Sequence, residues 1–184
     1  VFSDTINTGI YILEPDVLDL IPYREEFDFS KDLFPKMLEN NMPLYGYISD
    51  GYWRDVGNLD EYQIGQNDAL NNKLKVTYKG TERADGVIIG ENCTISPTAK
   101  FHGKVMLGSN VKIGDYSNIT DCVIGNNCTI GGGCRLTRTT LWNNVKVDDF
   151  ARLTDDVICS DVKIGQSVVI DENVFISDNC VIGK

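Results

Sequence analysis

The sequence predicts a mainly β fold, a parallel β-helix of six-residue repeats preceded by a shorter mixed α/β segment. Three observations carry that reading. From Ile89 through Ile95, Phe101, Leu107, Ile113 and Ile119, and onward to Ile182, an aliphatic or aromatic residue recurs at almost every sixth position. Glycine follows it in Ile89-Gly90, Leu107-Gly108, Ile113-Gly114, Ile124-Gly125 and Ile164-Gly165. A small side chain often stands four residues after it, as at Cys93, Ala99, Val111, Ser117, Cys128, Cys134 and Ala151. A unit this short cannot bury its own apolar face and must stack on copies of itself.

The spacing fixes the shape of the coil. The step shortens to five at Ile119 to Ile124, Leu136 to Leu141 and Leu153 to Ile158, so the coil closes every 17 residues as strands of six, six and five. Leu107, Ile124, Leu141 and Ile158 then form one column, and Thr120, Thr137 and Thr154 another, where hydroxyls and methyls of neighbouring strands meet. Asn92, Asn110, Asn127, Asn144, Asp161 and Asn179 form a column of corners, because Asn and Asp tolerate left-handed backbone. Roughly five coils at about 4.8 Å make a prism of about 25 Å. Resemblance to hexapeptide-repeat proteins implies a left-handed, triangular coil, against the usual right-handed crossover.

The first 85 residues do not repeat. Ile6 to Leu13 reads as a strand and Pro15 to Ile21 as a short helix opened by proline. Asp28 to Glu39 reads as a second helix with Asp28 or Ser30 as its cap. Leu44 to Ser49 reads as a strand ending at Asp50-Gly51, followed by a helix from about Leu59 to Leu70 and an extended connection from Lys75 to Asp85. The expected domains are 1–75, the α/β segment; 76–86, a linker; and 87–184, the β-helix. A segment of about 85 such residues buries too little surface to be stable alone. It is either a helical cap on the prism or the last part of a larger α/β domain.

Composition narrows the function. The net charge is −10, with 16 acids and 8 bases in residues 1–85 and 11 acids and 9 bases beyond. An acidic chain without a basic stripe argues against nucleic acid and anionic membranes as partners. No apolar stretch approaches membrane-spanning length and no signal peptide opens the chain, so a cytoplasmic location is expected. Of the six cysteines, Cys93, Cys128 and Cys180 share a column with Val111, Val145 and Val162 and act as small hydrophobes. There is no Cys-x-x-Cys, and His102 is the only histidine, so a zinc cluster has little support.

Three ordered segments resemble motifs of the sugar-1-phosphate nucleotidyltransferases: Ile6-Asn7-Thr8-Gly9-Ile10-Tyr11-Ile12-Leu13, Phe27-Asp28-Phe29-Ser30-Lys31-Asp32-Leu33-Phe34-Pro35 and Gly51-Tyr52-Trp53-Arg54-Asp55-Val56-Gly57-Asn58. In that family they close the catalytic domain, and a left-handed β-helix commonly follows. Thr140-Leu141-Trp142-Asn143-Asn144-Val145 and the closing coils are most similar to the bacterial mannose-1-phosphate guanylyltransferases, some of which are fused to a phosphomannomutase-like domain. The resemblance implies that Asn7, Thr8 and Gly9 line the sugar-phosphate pocket and that Asp55 helps hold Mg²⁺ with a second aspartate. Such a site is chemically apt, since magnesium takes one or two carboxylates plus phosphate oxygens and water. Alternatively, Asn7 satisfies a turn and Asp55 caps the loop before the Asn58 helix. Lys31, although in a motif, reads as a solvated helix residue.

The family's Gly-rich signature, its partner aspartate and its Glu-Lys-Pro sugar motif have no counterpart in these 184 residues. The chain is therefore expected to be a C-terminal fragment of an enzyme making GDP-mannose or a similar nucleotide sugar from a sugar 1-phosphate and a nucleoside triphosphate, and inactive alone. The alternatives are a non-catalytic regulatory or scaffold subunit and a trimeric hexapeptide acyltransferase. The last would rest on His102, which should point outward beside Phe101. The β-helix is expected to make homo-oligomers. Trp142, which replaces the usual glycine, is an outward-facing interface candidate. The open strand edge left by Ile182-Gly183-Lys184 is expected to be covered by another coil, a domain or a symmetry mate.

Overall fold

In the computed structural model, which describes residues 5–83 and 85–183, the six-residue repeat becomes a three-faced prism of short parallel strands. The first face stacks Ile88–Ile89, Met106–Leu107, Val123–Ile124, Thr140–Leu141, Val157–Ile158 and Phe175–Ile176. The second stacks Thr94–Ile95, Lys112–Ile113, Thr129–Ile130, Lys146–Val147, Lys163–Ile164 and Val181–Ile182. The third stacks Lys100–His102, Asn118–Thr120, Arg135–Thr137, Arg152–Thr154 and Val169–Ile170. Six coils are thus begun, one more than the repeat count suggested.

Register follows the sequence columns. Leu107 pairs with Ile124, Ile124 with Leu141, and Leu141 with Ile158. Thr120, Thr137 and Thr154 lie side by side. The strands alternate one residue in and one out, and the inward ones form a single core in which Leu107, Ile119, Leu136, Leu153 and Ile158 are fully buried. Each such side chain stabilises the fold by about 1.5–3 kcal/mol relative to exposure. The 17-residue coil holds only in the middle of the prism. Phe101 sits 18 residues before its partner Ile119, and Ile158 sits 18 before Ile176. The extra residue falls each time at the corner between the third and first faces, near Gly103 and near Asn173.

The corners are made by left-handed backbone. Asn92, Asn110, Asn127, Asn144, Asp161 and Asn179 all have φ between 56° and 62°. Their side chains form a ladder, with Asn127 Nδ2 donating to Asn144 Oδ1 at 3.1 Å and Asn144 Nδ2 to Asp161 Oδ1 at 3.0 Å. A further corner column, Gly103, Asp121, Arg138, Asp155 and Asn173, also has positive φ. Gly103 is required twice over, by φ +64° and because a Cβ there would collide with the Asp121 carboxylate. Arg138 grips Asp155 one coil on, Nε to Oδ1 and Nη2 to Oδ2.

The chain divides into two compact units, one through Val56 and one from Gly57 onward. The second contains helix α1, Leu59–Leu70, whose cap Asn58 accepts from the Glu61 N–H at 2.9 Å. That helix lies along the first face: Gln66 Nε2 donates to Thr140 Oγ1 at 2.8 Å, which leaves Thr140 and Val157 buried. The connection Lys75 to Asp85 is not purely extended, because Thr81–Glu82 turns back antiparallel onto Ile88–Ile89.

In the first unit, Pro15–Leu20 is a 3₁₀ helix. Phe29–Leu33 forms a π turn that runs into an α-helix at Phe34–Glu39. Asp28 is the cap, its Oδ1 accepting from the N–H groups of Ser30 and Lys31 at 2.8 Å each. Val17, Leu33 and Met37 form the buried centre of this unit, with Phe27, Phe29 and Phe34 packed against it. The two strands expected here do not form. Residues 6–13 and 44–49 have no ladder partner. Ile12 is fully exposed and Tyr45 and Tyr47 are more than nine-tenths exposed. A strand's hydrogen bonds and its apolar face both require a neighbour, and these segments have none among the described residues.

Candidate functional site

The site candidates Asn7, Thr8, Gly9 and Asp55 fall in the first unit, where each can be placed. Asn7 builds its own turn: its Oδ1 accepts from the Gly9 N–H at 2.9 Å, and Gly9 takes φ +74°. The same amide meets the Tyr11 hydroxyl at 2.8 Å and reaches Ser30 Oγ at 3.5 Å. Tyr11 in turn packs edge-on against Phe34 with ring centroids 5.1 Å apart. The turn is therefore fastened to the unit's apolar centre by a Tyr11 that joins a polar and an aromatic contact. Thr8 and Gly9 stay exposed at its tip, and a Cβ on Gly9 would meet nothing within 4 Å. That open backbone could admit a sugar hydroxyl or a phosphate oxygen close to the chain.

Asp55 lies in Trp53-Arg54-Asp55-Val56, just before helix α1, and is exposed. It does not cap that helix, since Asn58 does. Its carboxylate has no hydrogen bond or ion pair among the described residues. Beside it Arg54 Nε donates to the Tyr52 hydroxyl at 3.2 Å. A hard, exposed, unengaged carboxylate fits what Mg²⁺ asks of a protein, one or two oxygens with the remainder from water and phosphate. Among the described residues no group of three or more His, Cys, Asp or Glu could hold a metal, so Asp55 would be a single ligand. No hydrogen bond links Asp55 with Asn7, Thr8 or Gly9.

The remaining sequence candidates lie on the prism. Trp142 is 41% exposed on an outer corner, its backbone close above Gly125. His102 is exposed, pointing away from the core that Phe101 enters. Lys31, in the first unit rather than on the prism, is likewise exposed. The cysteines are free. Burial pushes the Cys122 thiol up to about 12 and the Cys128 thiol up to about 11, and it raises Cys134 as well. Cys128 Sγ donates to the Trp142 carbonyl at 2.9 Å and Cys134 Sγ to that of Asp148 at 3.2 Å, so these thiols serve as packing groups that also satisfy the next coil.

One unusual group escaped the sequence reading. Asp156 is fully buried where the last coil lengthens, and it accepts from the N–H of Thr154 at 2.9 Å and of Val174 at 3.2 Å. Burial raises its carboxyl to about 6, against those two donors. The signal was present, because Cys122, Thr139 and Asp156 each stand three residues after a core position and so share a small, inward column. A small cavity nearby is lined by Leu59, Asp60, Gln63, Asp155 and Asn173.

Comparison with known proteins gives these placements a family. Residues 85–184 match the model for the EIF2B subunit epsilon LbH domain, and residues 1–72 match the nucleotidyl transferase model. The UTP–glucose-1-phosphate uridylyltransferase of Synechocystis is 36% identical over 115 residues, covering 61% of this chain and 30% of the relative. The mannose-1-phosphate guanylyltransferase of Mycobacterium tuberculosis is 28% identical, covering 66% of this chain and 34% of the relative. The mannose-1-phosphate guanyltransferase of Saccharomyces cerevisiae is 37% identical, covering 53% and 26%. The chain thus spans about a third or less of these relatives. Among solved structures, the acetyltransferase domain of PglB from Neisseria gonorrhoeae is similar at a TM-score of 0.38 and 16% identity over 68% of this chain and 62% of that one, too weak a likeness to bear on activity. With the β-helix model spanning residues 85–184 and the nucleotidyl transferase model the first 72, the chain belongs to the sugar-1-phosphate nucleotidyltransferase family.

Proposed function

We propose that this chain supplies the closing part of a catalytic domain and the β-helix of an enzyme that makes a nucleotide sugar, GDP-mannose being the favoured product. In that reaction the sugar 1-phosphate attacks the α-phosphate of a nucleoside triphosphate and pyrophosphate leaves. The observation that carries the reading is Asp55: an exposed carboxylate inside a family motif, with no partner among the described residues, just ahead in sequence of a helix whose cap is another residue. Bound Mg²⁺ would screen the charge on the transferred phosphoryl group. Asp55 would hold the ion, while the Asn7 turn presents Thr8 and the Gly9 backbone to the sugar phosphate. Nucleotide binding and activity would need more than these 184 residues. The substrates are soluble metabolites, which fits a cytoplasmic protein, and no helix of the described residues is long and apolar enough to cross a membrane.

The test is pyrophosphate release by the full-length protein, with GTP or UTP paired with mannose or glucose 1-phosphate. Asp55→Asn should lower turnover at least tenfold and raise the Mg²⁺ needed for half activity. Asn7→Ala should act mainly on the KM for the sugar phosphate. Wild-type kinetics in Asp55→Asn would remove Asp55 from the site.

A second reading, a non-catalytic subunit of an assembly, is favoured by the β-helix matching a model named for the epsilon subunit of EIF2B. No pyrophosphate release from any substrate pair in the full-length protein would favour it. Either way the β-helix is the natural homo-oligomer contact, through Trp142 or through the last strands, Val169–Ile170, Phe175–Ile176 and Val181–Ile182, each paired on one side only among the described residues. A monomeric native mass with Trp142 fluorescence fully exposed would exclude that contact.

A further inference from the structure

The corner between the second and third faces differs from the others. Its left-handed positions on successive coils are Tyr116, Gly133, Phe150 and Ser167, with φ of 57°, 66°, 62° and 58°. Glycine tolerates that backbone freely, whereas a bulky side chain resists it. Yet Tyr116 is 77% exposed and Phe150 58% exposed, so neither ring gains the burial that would offset its conformation. Phe150 lies across Gly133, which has no side chain to keep it away, and the two rings make an aromatic ridge along the prism. Residues placed against local backbone preference, with little packing in return, point to selection for something outside the chain.

The faces meeting at this ridge are one-signed, so the fold assembles a basic stripe, contrary to the expectation from the linear sequence. On the second face Lys112, Lys146 and Lys163 point outward in register. On the third, Lys100, Arg135 and Arg152 do the same. No strand residue on either face is acidic, although the whole chain carries −10. Lys146 is paired with Asp148 at 2.8 Å, and the other five form no ion pair among the described residues.

We propose that this corner and its two faces form a docking surface for an acidic polypeptide segment, which seats an apolar side chain on the Tyr116–Phe150 ridge and its carboxylates on the flanking Lys and Arg. The acids at the corner favour a polypeptide over a nucleic acid. Asp115 precedes Tyr116 and Asp149 precedes Phe150, and Asp149 Oδ1 is held in place by the Gly132 N–H at 2.7 Å. A phosphate backbone tracking the ridge would meet a carboxylate beside each ring, whereas a polypeptide keeps its charges off the ridge and on the basic faces.

The test uses the 184-residue chain and a fluorescein-labelled peptide of glutamates with a central Leu-Phe pair, read by anisotropy at low salt. Saturable binding that weakens with salt is expected. The double variant Tyr116→Asn, Phe150→Asn should lose about tenfold or more in affinity while its thermal midpoint holds or rises, because Asn suits the left-handed corner. Arg135→Ala with Arg152→Ala should lose a similar factor. A midpoint that rises as binding falls would separate a recognition role from a structural one. The proposal is overturned if the peptide does not bind saturably, if both double variants bind as wild type, or if a single-stranded RNA of equal charge binds more tightly. It is equally overturned if sedimentation shows concentration-dependent self-association abolished by the same variants, which would make a second copy the occupant.

Discussion

Asn110 Nδ2 donates to Asn127 Oδ1 at 2.9 Å across one full coil, from one left-handed residue to another. The backbone is tied at the same level, since the Asn127 N–H donates to the Ser109 carbonyl at 2.9 Å. A side chain that tolerates the corner therefore also binds the corner above and below it.

That double duty can be separated with two substitutions. Asn127→Gly removes the ladder but keeps an easy positive φ, so it should cost about 1 kcal/mol. Asn127→Ala removes the ladder and adds the left-handed penalty, for a total of about 2 kcal/mol. Urea unfolding of both variants checks this, and equal losses would mean the corner conformation costs alanine nothing.

Gly103→Ala should destabilise the prism through both its left-handed backbone and a side-chain clash. The added Cβ meets the Asp121 carboxylate, which itself accepts from the Lys104 N–H at 2.9 Å. A loss of about 2–4 kcal/mol is expected, partly relieved in the double variant Gly103→Ala, Asp121→Ala. If Asp121→Ala gave no relief, the clash would not be the source.

Asp156 sets a pH dependence of unusual sign for a carboxylate. Its native carboxyl titrates near 6 and its unfolded one near the ordinary 3.8, so the native state binds the proton more tightly. The stability it contributes is complete below about pH 4 and is lost as pH rises through 6. Asp156→Asn has no titration, and one of its backbone donors faces an amide donor. The thermal midpoint of wild type minus that of Asp156→Asn should thus shrink between pH 4 and pH 7. A constant difference across that range would show that burial does not hold the proton.

The column thiols should behave as hydrophobes. Cys128 lies between Val111 and Val145 in its column, so Cys128→Val should change stability by less than about 1 kcal/mol. With thiols raised by burial, Cys122, Cys128 and Cys134 should resist a disulfide reagent in the native chain and react after unfolding. Rapid native labelling of Cys122 would contradict the closed core.

The sequence spelled out the prism because one period controls every link of it. A strict six-residue step dictates the inward residue, its column and, through Asn and Asp, one whole corner. The corner between the second and third faces was invisible because nothing in Tyr116 or Phe150 announces a left-handed backbone. Only their register with Gly133 and Ser167 does so. The strands expected at residues 6–13 and 44–49 failed for another reason. Their alternation of apolar residues is a statement about a neighbour, and a sequence pattern does not supply one. Asp28 and Asn58 were readable as a cap and a helix start because capping is local, needing only three residues of context. Asp55 and the Asn7 turn depend on family resemblance for their roles, since an exposed carboxylate and an Asx turn are common.

The exact 17-residue offset between Val123, Thr140 and Val157 makes the middle of the prism modular. Excising one whole coil, or inserting a copy of one, would return every following residue to a position equivalent to its own, with only the height of the column changed. A deletion that is not a whole number of coils would move the following residues off their columns. Natural variation in this part of the molecule should therefore come in whole storeys, with odd residues tolerated only at the corner where Gly103 and Asn173 already admit them.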